Sequence, residues 1–160
     1  MIHIDKSNYD NLIQKFPDHP NRYLAELSRL DCLLALANQN ITYDFKEIIV
    51  ELERLLDLPD LPKEFQLEVR YKLAFIFSKI DRTSLSNKVI LSIIDDFIDS
   101  DIRTGNFSSI ESYWIARSLF LLCDHLNADN QFEESKKIYR MIIAYNLPGF
   151  QLAKQLLQEL

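Results

Sequence analysis

The stretch ARSLFLLCDHLNADNQFEESKKIYRMIIAYNLP, residues 116–148, decides how this chain folds. Leu119, Leu122, Cys123 and Leu126 recur at the steps of three and four that align side chains on one face of a helix. Asp129-Asn130-Gln131 then reads as a turn, and Phe132, Ser135, Tyr139 and Ile142 resume the same periodicity until Pro148 stops it. Two amphipathic helices joined by so short a turn must lie antiparallel. Small side chains at Cys123 and Ser135 let the pair approach closely where they cross, and Leu126 and Tyr139 fill the groove alongside.

The same reading extends outward in both directions. In 21–38 the apolar positions Tyr23, Leu24, Leu27, Leu30, Cys32, Leu34 and Ala37 are separated by the charges Glu26, Arg29 and Asp31. Residues 44–57 carry an apolar stripe from Phe45 to Leu56, with Glu47, Glu51, Glu53 and Arg54 opposite. Pro59 and Pro62 end that helix, and Pro62 suits the first position of the next. The segment 63–80 is apolar on most sides by its second half, as expected of a central helix. Ser84 or Ser86 is the expected N-cap of a helix over 86–99. Ser108 and Glu111 have capping-box spacing at the start of a helix over 109–127. Helices over 131–146 and 149–159 and a short one over 5–16 complete an all-α chain of about eight helices.

The 116–148 pattern resembles a degenerate tetratricopeptide repeat, with Leu119 where the family has Trp and Cys123 where it has Gly. Ile90, Ile94 and Phe97 echo the spacing of Ser135, Tyr139 and Ile142, and Ile48, Leu52 and Leu55 echo it again. These intervals of 45 and 42 residues lie nearer HEAT and armadillo units, at about 40–47, than the tetratricopeptide's roughly 34. The resemblance implies stacked antiparallel hairpins at about 21–58, 63–100 and 108–146, capped by a terminal helix. It makes residues 1–160 one helical-repeat domain of α-solenoid type.

Composition narrows the chemistry. Only Gly105 and Gly149 are glycines, where average usage would supply about eleven, so a phosphate-cradling loop is hard to build. The net charge of −6 argues against direct nucleic-acid binding, which needs a basic face. Cys32 and Cys123 lie far apart in apolar surroundings, as suits buried thiols in a reducing compartment. No apolar run reaches membrane-spanning length and the first residues show no secretory pattern, so a cytoplasmic protein is expected.

No metal-binding, nucleotide-binding or nucleophile motif is present, and no cofactor, metal or catalytic residue is predicted. Asp124 and His125 are sequence neighbours on different helix faces, and His125 reads as a plain helix residue. Lys136, Lys137 and Arg140 read as i,i+4 partners of Glu133 and Glu134. Two features remain as candidate protein-binding groups. Asp95, Asp96, Asp99 and Asp101 form the densest charge cluster, with Asp95 and Asp99 on one face. Tyr113 and Trp114 become anchors if they are exposed together with Tyr71 or Tyr145.

These features predict a protein-binding module without catalytic activity. In size, acidity and lack of reactive groups the chain resembles bacterial immunity proteins, which neutralise a cognate toxin domain. That resemblance implies a basic toxin or nuclease as partner. A tetratricopeptide-like adaptor or secretion chaperone is the alternative. A metal-dependent helical-bundle enzyme would need inward-facing acids, and the acids here fall mostly on polar faces.

Overall fold

A computed structural model describes residues 6–19, 21–38, 44–99 and 107–160. In chain order the elements are α1 (Lys6–Lys15), α2 (Arg22–Asn38), α3 (Phe45–Leu56), α4 (Lys63–Lys79), α5 (Thr83–Ile93), α6 (Ser109–Ala128), α7 (Phe132–Ala144) and α8 (Phe150–Glu159). A π-helical turn, Ile94–Asp99, extends α5. The described residues contain no strand. The all-α expectation therefore holds, with helices at the places their apolar periodicity marked. Two compact units divide the chain, Met1–Leu61 and Pro62–Leu160.

In the first unit α2 packs on α1 and on α3. Leu27, Leu30 and Leu33 of α2 and Ile48, Leu52 and Leu55 of α3 are buried. Glu26 departs from its expected place on a polar face, being only 4% exposed. Both its oxygens are bridged. Arg22 Nε lies 2.7 Å from Oε1 and Arg54 Nη2 lies 2.8 Å from Oε2. A buried carboxylate is tolerated when paired and hydrogen-bonded in this way. Asp44 caps α3 by accepting from the Lys46 N–H.

In the second unit α6 packs on α4, α5 and α7, and α8 packs on α7. The expected central helix, α4, buries seven residues, and so does α6. Its Ile115, Leu119, Leu122 and Cys123 share one core with Ile90 and Ile93 of α5 and Tyr139 and Ile142 of α7. The capping box at Ser108 and Glu111 is present in both directions, at 3.1 and 2.6 Å. Such a cap contributes about 1 kcal/mol.

The hairpins α4–α5 and α6–α7 are built alike, with a register of 49 residues. Ala74 corresponds to Cys123, Phe77 to Leu126, Asp81 to Asn130, Ser86 to Ser135, Ile90 to Tyr139 and Ile93 to Ile142. Both hairpins turn in the same way. The Arg82 N–H donates to the Phe77 carbonyl and the Gln131 N–H to the Leu126 carbonyl, each at 2.8 Å. Asp81 (φ 58°) and Asn130 (φ 59°) hold the left-handed position of a Schellman cap. Asn146 (φ 49°) repeats it after α7. Asp and Asn tolerate that conformation because their short polar side chains bond locally, so few glycines suffice. At the crossings Ser86 Oγ donates to the Ala74 carbonyl at 2.7 Å, and Cys123 Sγ lies 3.9 Å from the Ser135 carbonyl.

Several local expectations are corrected here. The repeat interval is 49 residues between these hairpins, not 45. Thr83 starts α5 directly after the Schellman turn, so neither Ser84 nor Ser86 is the N-cap, and Ser86 is instead buried at the helix crossing. Pro62 precedes the first helical residue of α4, with ψ at 150°. The end of the expected 86–99 helix is π-helical.

Candidate protein-docking face

Tyr71, Phe75 and Lys79 follow one another at i,i+4 along α4, and Tyr113 and Arg117 do so along α6. Because α4 and α6 pack side by side, these rows meet. The Tyr71 and Trp114 rings lie 5.4 Å apart, and Tyr113 and Trp114 are edge-on at 4.9 Å. Tyr71 and Phe75 stack at 6.2 Å. Arg117 lies over this group, 4.6 Å from the Tyr71 ring, 5.5 Å from Tyr113 and 5.9 Å from Trp114. Its Nη1 donates to Tyr113 Oη at 2.8 Å. Lys79 Nζ sits 5.2 Å from the Phe75 ring.

This face is partly open. Tyr113 is 44% exposed. Arg117 and Lys79 are exposed, and Tyr71, Phe75 and Trp114 are half-buried. A guanidinium over aromatic rings is held by their negative faces, which fixes its direction at low entropy cost. Burial pushes the Tyr71 phenol up, against the opposing pull of Arg117, so its hydroxyl stays a neutral donor at ordinary pH. Lys72, only 5% exposed, is neutralised by Glu68 Oε1 at 2.5 Å.

The predicted residues separate. Tyr113 and Trp114 join Tyr71 in the face, while Tyr145 pairs with Phe107 at 6.2 Å. Asp95 and Asp96 are exposed on the π-helical turn. Asp96 Oδ2 accepts from Arg70 Nη1 at 2.7 Å, and the same nitrogen donates to the Ser92 carbonyl at 3.0 Å. Asp101 and the side chain of Asp99 lie outside the described residues. Lys136 and Lys137 hold Glu133 and Glu134 at i,i+3 rather than i,i+4, at 2.9 and 2.6 Å.

His125 is not a plain helix residue. It is buried, with Nδ1 2.7 Å from Asn87 Oδ1 and Nε2 2.9 Å from Ser78 Oγ. With the Asn87 amide assigned this way, Nδ1–H donates to it and Ser78 Oγ–H donates to Nε2 of a neutral ring. The order resembles a nucleophile, base and orienting group. Ser78, however, lies in the last turn of α4, where a helix presents carbonyls, the wrong polarity for an oxyanion. The three side chains tie α4, α5 and α6 together.

Burial holds the His125 imidazole below its ordinary 6.5, with Asp124 and Asp129 opposing. The folded chain therefore binds this proton less readily than the unfolded chain. Its stabilising contribution is complete above about pH 6.5 and is lost as pH falls through the lower folded value. Wild-type Tm is expected to drop more steeply than that of His125→Asn between about pH 7 and 5. Parallel slopes in thermal melts would remove this role.

Cys32 and Cys123 are free thiols, and burial pushes Cys123 up to about 12, which makes it unreactive. Among the described residues no group of His, Cys, Asp and Glu is placed to hold a metal, and no helix is long and apolar enough to cross a membrane. No protein-family model, curated protein or solved structure matches this chain.

Sequence reasoning missed Phe75, Lys79 and Arg117. Their i,i+4 relation to Tyr71 and Tyr113 was a usable signal. The Ser78–His125–Asn87 tie had none, because its members are 47 and 38 residues apart.

Proposed function

We propose that this chain is a protein-binding module that docks its partner on the α4–α6 face. The observation that carries the reading is the exposed Arg117 framed by Tyr71, Tyr113 and Trp114. Trp, Tyr and Arg are the residue types that dominate binding energy, and here they sit together on rigid helices. The matched crossings of α4–α5 and α6–α7 support a module of stacked helical hairpins, of the kind that serves as an adaptor or chaperone surface.

A second reading makes the same module a cytoplasmic inhibitor of a basic toxin domain, as an immunity protein. It is favoured by the net charge of −6 and by Asp95 and Asp129, which line a groove along α5.

The test is affinity capture from a lysate of the source organism with wild-type chain and with a Tyr113→Ala/Arg117→Ala variant. Both positions are at the surface, so far-UV circular dichroism should match. The variant is expected to lose about 2 kcal/mol, near 30-fold in Kd, for the captured partner. A partner held equally by both proteins, yet lost from Asp95→Lys/Asp129→Lys, would replace the first reading with the second.

A further inference from the structure

We infer that the α4–α6 face receives an acidic peptide segment, one of whose carboxylates pairs with Arg117. This deepens the docking reading and rests on it. Four of the chain's other arginines hold carboxylates. Arg22 holds Glu26, Arg29 holds Asp10, Arg54 holds Glu26 and Arg70 holds Asp96. Arg82 and Arg140 are exposed and, like Arg117, form no ion pair among the described residues, but of these three Arg117 is the one held over aromatic rings. Among the described residues its partners are the phenols of Tyr113 and Tyr71 and three rings, and no carboxylate lies within ion-pair distance.

The acids around this face do not neutralise it. Glu68 is taken by Lys72, and Glu111 Oε2 accepts from the Ser108 N–H. Asp124, exposed two turns further along α6, forms no ion pair among the described residues. Arg117 and Lys79 thus leave a local positive charge on a protein whose net charge is −6.

The chemistry of the occupant follows. A guanidinium has five N–H donors in a planar fork, of which one is committed to Tyr113 Oη and another is drawn toward the Tyr71 phenol. The remaining donors match the two oxygens of a carboxylate, and stacking on the rings strips water from the cation and strengthens that pair. The half-buried rings of Trp114 and Phe75 add flat apolar area for a neighbouring side chain. A single-stranded nucleic acid also combines stacking with a cation, but it brings a phosphate with every nucleotide to a chain of net charge −6, whereas a peptide need bring only the one carboxylate that Arg117 takes.

The experiment is selection of phage-displayed random dodecapeptides on the 160-residue chain, followed by affinity measurement with labelled synthetic copies. Enriched peptides are expected to carry Asp or Glu beside an apolar residue. Their affinity should fall about tenfold or more in Arg117→Gln, and less in Arg117→Lys, which keeps charge but not the fork. It should also weaken as salt rises, and Arg140→Gln, at an exposed arginine of α7, should leave it unchanged. Circular dichroism and melting of each variant separate lost binding from lost folding. Enriched peptides without acids, or with full affinity for Arg117→Gln, overturn the acidic partner. In that case loss of binding in Tyr113→Ala would leave the docking face standing, and retention would remove it as well. Failure to enrich any sequence counts against both. A labelled oligouridylate bound by wild type and released by Arg117→Gln would overturn the peptide in favour of a nucleic acid.

Discussion

Cys123→Leu is expected to destabilise the second unit by about 3 kcal/mol, and Ala74→Leu to do comparable damage. Cys123 is fully buried at the α6–α7 crossing, with its sulfur 3.9 Å from the Ser135 carbonyl of the facing helix. Leu119, Leu122, Tyr139 and Ile142 in the same cluster are buried too. Close-packed interiors have no slack for added methylenes, so the helices must separate or side chains leave their rotamers. At the matched position, a larger residue at Ala74 would press on Ser86, whose Oγ bonds the Ala74 carbonyl at 2.7 Å. For a unit of this size the loss should lower Tm by roughly 10 °C or more. Leu126→Met, at a half-buried site, is a control that should cost less than about 1.5 kcal/mol. If urea melts place Cys123→Leu within about 0.5 kcal/mol of wild type, the 49-residue register loses its support.

Gly149→Val should cost about 3 kcal/mol and Gly149→Ala about 2. Two effects combine at this residue. Its φ is +84°, where a Cβ is disfavoured and a branched one more so. A Cβ there would also stand 2.8 Å from Phe120 Cε2 and 3.2 Å from Cζ. Phe120 packs beside Tyr139, with ring centres 6.3 Å apart, so a withdrawal of the ring alters its contact with α7. The damage should be local first, because α8 packs chiefly on α7 and opens most easily. Trypsin cleavage after Lys154 in α8 should therefore rise before global unfolding does. Pairing Gly149→Ala with Phe120→Leu separates the effects, since a smaller side chain relieves the collision but not the backbone strain. Recovery of all the lost stability in that pair would show that φ contributes nothing.

The periodicity of apolar residues located the helices because helix formation needs only one face to be buried. Local chemistry marked the Ser108 cap and the Asn130 turn for the same reason, since both act within a few residues. Distant partners left weaker traces. Glu26 reads as a surface charge until Arg54, 28 residues away, is placed against it. Arg117 reads as one more surface cation until Tyr71 is brought beneath it from α4. The acidic cluster reads as a face of its own, yet Asp96 serves Arg70 across the hairpin.

From its residues alone this chain is all-helical, with each helix's buried face and most of its ends specified by short-range spacing. Only tertiary packing chose the register of the second hairpin against the first. A slide of four residues is close to one helical turn of 3.6, so it returns nearly the same apolar stripe and leaves the pattern almost unchanged. Small residues that must meet at a crossing break that near-degeneracy. Ala74 against Ser86 and Cys123 against Ser135 select the 49-residue register, and with it the rings that surround Arg117.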